Sequence, residues 1–150
     1  MRYINRSHPA TGLEGKFSLQ YVVVAALIDG KVDLDTFNDS QVQREDFCSL
    51  LSRVVVIENP QIPANFNDMW IVVMVTLNNG KTIENKCVKP KGIWGEPLSR
   101  NEVLEKVENC AGRVLDRQSL NEFISLVDNL ENASAADVKR LLAILTPTVR

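Results

Sequence analysis

Histidine is almost absent from this chain, and its scarcity narrows the chemistry at once. His8 is the single histidine among 150 residues, so a self-contained Ser-His-Asp or Cys-His site is ruled out unless His8 serves it. Cysteine is scarce as well. Cys48, Cys87 and Cys110 are odd in number and show no paired spacing, which argues against a disulfide framework and against a zinc site. Each falls on an apolar or half-apolar position, where a buried structural thiol is expected rather than a nucleophile. There is no Gly-x-Gly-x-x-Gly, no phosphate loop ending in Lys, no Gly-x-Ser-x-Gly and no His-Glu-x-x-His. Neither sign of charge dominates: 17 Lys+Arg against 19 Asp+Glu leave −2, without the basic excess that a nucleic-acid partner needs. The longest apolar run, Tyr21 to Ile28, is too short to cross a bilayer. The start, Met1 to Pro9, has no apolar segment of the signal-peptide kind. No membrane role is expected, and the cytoplasm is the expected compartment.

What is present suits a globular domain, since hydrophobic residues reach 45% and charged residues 24%. Residues 2–6 read as a short strand. Thr11-Gly12-Leu13-Glu14 reads as a capping box or, given its glycine, as a loop. Phe17 to Ile28 is apolar on all sides and is stopped by Asp29-Gly30. Its length and Ala25-Ala26-Leu27 favour a buried helix, while Val22-Val23-Val24 keeps a strand open. Ser40 can cap a helix over about 41–52. Val54-Val55-Val56-Ile57 reads as a strand closed by Asn59-Pro60. Trp70 to Leu77 and Lys81 to Val88 form a hairpin around Asn78-Asn79-Gly80, an Asn-Gly turn suited to type I′. The turn-rich stretch Lys89 to Pro97 leads to Ser99 and Glu102, a capping box before a helix with Val103, Leu104, Val107, Cys110, Ala111, Val114 and Leu115 on one face. Leu120, Phe123, Ile124, Val127 and Leu130 mark a second helix. Ser134 caps a third, carrying Val138, Leu141, Leu142 and Leu145. The predicted class is α+β: a small antiparallel sheet with helices packed on one face, plus a C-terminal helical tail. The predicted division is residues 1–98 and 99–150, the tail belonging to the same domain or packing on a partner.

One stretch gathers chemistry. His8-Pro9-Ala10-Thr11-Gly12-Leu13-Glu14-Gly15-Lys16-Phe17-Ser18 sets a histidine, hydroxyls, an acid and a lysine on a glycine-rich segment before the apolar helix. Such a segment can offer N–H groups and a cation to an anion, or it can be a cap and hinge that binds nothing. Gly12, Leu13, Glu14, Lys16, Phe17, Ser18, Tyr21, Ala25, Ala26, Asp29 and Gly30 occupy the places of the MmgE/PrpD signature. That signature has a Gly-Leu-Glu-small-Lys-Phe-Ser core, an aromatic residue three places later, and an alanine-rich helix ending in Asp-Gly. The sequence resembles the C-terminal domain of that family. The likeness continues through the hairpin and at Gly95-Glu96-Pro97-Leu98-Ser99, before the acidic helix containing Lys106.

The resemblance implies a lyase or isomerase of small di- and tricarboxylates, acting by 2-methylcitrate dehydration, cis-aconitate decarboxylation or iminodisuccinate epimerisation, with no metal or other cofactor. It implies a lid over a cleft whose other wall, an all-helical domain, carries the main catalytic groups. The final helices then return to that helical domain. Tyr21 takes the place of a tyrosine implicated at the active site, as a proton relay or hydrogen-bond donor to a carboxylate, or it packs in the core. Lys16 can neutralise a substrate carboxylate, or pair with Glu14 or a neighbouring chain. Ser18 is a candidate substrate contact that reads better as a helix N-cap. Full members are far longer, so the chain is expected to be inactive alone, completed by self-association or by a helical-domain partner chain. The alternatives are a non-catalytic carboxylate-binding or oligomerisation module and a remnant that keeps only its fold.

Overall fold

The computed structural model describes residues 5–65, 67–93 and 95–146. The chain divides into two compact units, Met1–Leu98 and Ser99–Arg150. Among the described residues are seven α-helices and one two-stranded antiparallel sheet, so the class is α+β. Of the expected strand 2–6, residues 2–4 lie outside the described residues, and Asn5 and Arg6 belong to no strand.

The first unit opens with α1 (Gly12–Gly15) and α2 (Leu19–Asp29). Phe17 to Ile28 is therefore helical over most of its length. Ser18 starts α2 by accepting a bond from the Tyr21 N–H, and Gly30 stops it in the left-handed conformation at φ 70°. Although α2 is apolar all round, only the face formed by Tyr21, Val24 and Ala25 enters the core. The core is completed by Val42, at the end of α3 (Asp39–Val42), and by Phe47 and Leu51 of α4 (Glu45–Leu51). Each large side chain so enclosed contributes roughly 1.5–3 kcal/mol. Phe37, Leu50 and Val54 pack at its margin.

The helix expected over about 41–52 is broken in two, and Ser40 lies inside α3 rather than capping it. The break falls at Gln43 and Arg44. Arg44 takes extended backbone as it is drawn to Asp29 and Asp46. The expected strand Val54–Ile57 belongs to no sheet. Its side chains do alternate, with Val54 and Val56 half-buried and Val55 and Ile57 about three-quarters exposed, but among the described residues no neighbouring strand supplies a ladder.

The hairpin pairs β1 (Ile71–Thr76) with β2 (Thr82–Cys87), in the register Ile71 to Cys87 through Thr76 to Thr82. Its turn is not type I′. Among the described residues no residue other than glycine has positive φ, and here only Gly80, at 83°, does. A three-residue loop results, closed by Gly80 N–H to Leu77 C=O and Leu77 N–H to Lys81 C=O. All three cysteines are exposed, which corrects their expected burial. Cys87 stands on a sheet with only two strands, and Cys110 lies on a helix that buries none of its residues.

The second unit holds α5 (Arg100–Ala111), α6 (Arg117–Asp128) and α7 (Ala135–Leu145). Ser99 with Glu102, and Ser134 with Asp137, form reciprocal capping boxes. Asp116 caps α6 by accepting the Ser119 N–H. Arg100 pairs with Asp128, and Arg117 with Glu108 at 3.1 Å, so α5 and α6 are joined by charge. Arg140 forms a two-pronged bond to Glu122, at 2.6 and 2.7 Å, between α6 and α7. No described helix is long and apolar enough to cross a membrane.

Candidate functional site

The signature stretch folds as two short steps joined by Lys16 and Phe17. In the first, Thr11 Oγ1 accepts the Glu14 N–H at 3.3 Å, while Glu14 Oε2 accepts the Ala10 N–H at 2.7 Å. The glycines are demanded by proximity. A Cβ on Gly12 would stand 1.7 Å from the Phe37 carbonyl oxygen, and one on Gly15 would stand 3.2 Å from the Tyr21 ring and Val42. The Gly12 N–H donates to Asp39 Oδ1 at 2.6 Å, and Gln43 Nε2 donates to the Ala10 carbonyl at 3.1 Å. These bonds fix α1 against α3 and the turn that precedes it.

Tyr21 is fully buried, its ring centroid 5.5 Å from that of Phe47 and 6.2 Å from that of Phe37. Its hydroxyl donates to the Thr36 carbonyl. That carbonyl is held in place by Asp33, whose Oδ1 accepts the N–H groups of Asp35 and Thr36 at 3.0 and 3.2 Å. Burial pushes the Tyr21 phenol up, with Arg44 pulling more weakly the other way. The phenol is thus neutral at physiological pH, with its proton already committed. The bond from Lys31 holds the Asp33 carboxyl below its usual range.

Ser18 is buried, and its Oγ accepts the Tyr21 N–H at 3.1 Å. Lys16 is exposed, its Nζ 5.9 Å from the centroid of Phe37, within cation–π range. It does not pair with Glu14, whose carboxylate is taken by Ala10. His8 is exposed and meets Ser7 Oγ at 3.2 Å, so it joins no other candidate group. Lys16, Ser18 and Tyr21 are neighbours in the fold, with Tyr21 turned inward and Lys16 outward. Among the described residues, no three His, Cys, Asp or Glu side chains gather as metal ligands.

Two residues escaped the sequence reading. Arg44 ties the signature's Asp29 to α4, through 3.0 Å bonds to Asp29 and a 2.6 Å bond to Asp46, with its guanidinium 4.1 Å from the Phe47 centroid. Asp29-Gly30 therefore combines an ion-pair anchor with a helix stop. Gln20, the lone amide in an apolar stretch, is buried with no partner for its Oε1. That isolation was the available signal.

Comparison with known proteins identifies the family. The profile of the MmgE/PrpD C-terminal domain matches residues 1–132. Cis-aconitate decarboxylase of Mus musculus is 30% identical over 138 residues, covering 92% of this chain and 28% of the relative. That of Homo sapiens is 31% identical over 138 residues, covering 92% and 29%. A cis-aconitate decarboxylase-like protein of Aspergillus oryzae is 28% identical over the same length, covering 92% and 28%. The chain thus spans less than a third of the length of these relatives. With a profile match that includes the whole Gly12–Tyr21 stretch, the chain belongs to the MmgE/PrpD family, as a C-terminal domain of that type.

Proposed function

We propose that this chain forms the substrate-covering part of a metal-independent lyase acting on small di- or tricarboxylates, with cis-aconitate decarboxylation as its reaction. The observation that carries this is the 30–31% identity, over 92% of the chain, to two cis-aconitate decarboxylases. Dehydration of 2-methylcitrate is the neighbouring reaction. Loss of CO2 leaves an electron pair that must be protonated, so the site needs a cation for the remaining carboxylates and a proton donor. Lys16 supplies the first. Tyr21 becomes the donor or relay by exchanging its Thr36 acceptor for the substrate, with Ser18 holding the start of its helix. The nearby carboxylates are occupied: Glu14 and Asp39 by backbone N–H groups, Asp29 and Asp46 by Arg44. The general acid–base partner is therefore proposed to come from the helical part of such an enzyme or from a partner chain, and the compartment is proposed to be the cytoplasm. The second reading, a non-catalytic carboxylate-binding or oligomerisation module, is favoured by the exposed Leu13, Phe17 and Leu27 beside the site.

The test replaces the matched segment of the murine decarboxylase with this chain and follows CO2 release from cis-aconitate. Alone, the chain is expected to give no turnover. The chimera is expected to be active, and Tyr21→Phe within it to lower kcat by about 100-fold. A folded chimera that is inactive on both cis-aconitate and 2-methylcitrate would favour the binding module. Turnover by the chain alone would overturn the need for an outside acid–base group.

A further inference from the structure

Residues 30–38, which join α2 to α3, lie on the surface around one buried point. Thr36 is buried, Asp33 and Phe37 are half-buried, and the others are exposed. Asp33 and Thr36 hold each other reciprocally. The Asp33 N–H donates to Thr36 Oγ1 at 3.0 Å, while Asp33 Oδ1 accepts the N–H groups of Asp35 and Thr36 at 3.0 and 3.2 Å. Lys31 Nζ donates to Asp33 Oδ2 at 2.7 Å from outside. The Thr36 carbonyl points the other way and receives the Tyr21 hydroxyl. A segment bonded within itself moves as one piece, and an exposed one opens more cheaply than the core. It also has a place to turn. Gly30 stands at its start with φ 70°, and nothing lies within 4 Å of where a Cβ would be. At its other end Phe37 packs on Tyr21 and carries Lys16 Nζ over its ring at 5.9 Å, so an anion that draws Lys16 away loosens the same segment.

We propose that residues 30–38 form a releasable clamp on the Tyr21 proton, with Asp33 as the positioning residue that keeps it shut. Asp33 acts through Thr36, since it fixes the carbonyl to which the phenol is committed. Tyr21 then exists in two states, clamped or free, and only the free state can turn its proton to a ligand. A ligand that needs the free state binds more weakly by the fraction of chains that are clamped. The clamp itself stands on geometry. Its effect on turnover rests on the role proposed above for Tyr21.

The test measures hydroxyl exchange by NMR in the whole chain labelled with 13Cζ-tyrosine, at neutral pH in mixed H2O and D2O. Tyr3 and Tyr21 are the two tyrosines, and Tyr21→Phe identifies the Tyr21 line. A hydroxyl that exchanges slowly splits its Cζ line in two, and Tyr21 is expected to do so. Asp33→Ala is expected to speed that exchange by about tenfold, while the amides of Val24 and Ala25 keep their rates. Asp33→Asn retains an acceptor oxygen and is expected to stay near the unaltered rate. Thr36→Val, which removes the hydroxyl arm without changing shape, is expected to follow Asp33→Ala and serves if that variant fails to fold. Fast exchange in the unaltered chain overturns the clamp, as does an unchanged rate in Asp33→Ala. So does a rise shared equally by the core amides, which would mark loss of stability alone. In the decarboxylase chimera, Asp33→Ala is expected to lower KM about threefold with kcat held. An active chimera whose KM ignores Asp33→Ala removes the clamp from the reaction, whereas an inactive chimera beside the expected exchange rates removes the reaction and leaves the clamp.

Discussion

Gly12 and Gly15 sit at the closest approaches in the signature stretch, and the two distances predict unequal penalties for one added methyl group. The Gly12 Cβ would lie 1.7 Å from a backbone carbonyl oxygen, which cannot yield without moving the turn at Phe37. Gly12→Ala is therefore expected to cost about 3 kcal/mol or more. The Gly15 Cβ would meet side-chain carbons at 3.2 Å, which can shift by a few tenths of an ångström, so Gly15→Ala is expected to cost about 1 kcal/mol. Urea midpoints of the two variants check the order, and equal losses would contradict the packing described. The motif was visible in the sequence, but its reason was not, because Gly12 and Phe37 are distant along the chain. The same holds for Tyr21. An aromatic residue on an all-apolar helix was legible as either core or catalytic, and only the Thr36 carbonyl shows where its proton resides. Arg44 gave no signal at all, since its partners Asp29 and Asp46 come from different helices.

At the scale of elements, the three terminal helices depend on carboxylates at their ends and flanks. Asp116 is held below the usual carboxylate range first by the Ser119 N–H, Asp137 by the Ser134 hydroxyl, and Glu122 by Arg140. Folded values below the unfolded ones mean that this stabilisation is full above the unfolded value, near pH 4, and is lost as pH falls through the folded values. The melting temperature of these helices is thus expected to drop from about pH 4 downward. The pair Asp116→Asn and Asp137→Asn keeps an acceptor oxygen but removes the charge, and is expected to flatten that drop. Circular dichroism at 222 nm between pH 7 and 2.5 measures it, and an unchanged acid profile would show that these ends do not govern stability. Ser99, Ser134 and their acidic partners were legible because a capping box is written in local sequence. The break at Gln43 and the unpaired Val54–Ile57 were not, since each depends on residues elsewhere: an ion pair in the first case, and in the second a strand partner that none of the described residues provides.

For the molecule as a whole, α2 shows most plainly how pattern and structure diverge. Its all-round apolarity predicted burial, yet Leu27 is 55% exposed, and Leu13 and Phe17 before it are exposed as well. In the second unit Val138, Leu142 and Leu145 of α7 are likewise open. Apolar surface of this kind drives association, so sedimentation is expected to show mass rising with concentration. A monomer at every concentration would contradict it. The core itself has another consequence. Its members, Tyr21, Val24, Ala25, Val42, Phe47 and Leu51, all come from one short run that precedes the hairpin and the last three helices in sequence. Contacts between near neighbours in sequence close small loops and form quickly, and domains assemble from the N-terminus as synthesis proceeds. This nucleus can therefore be in place while the hairpin and the last three helices are still being made, and everything translated later is added to a part already folded.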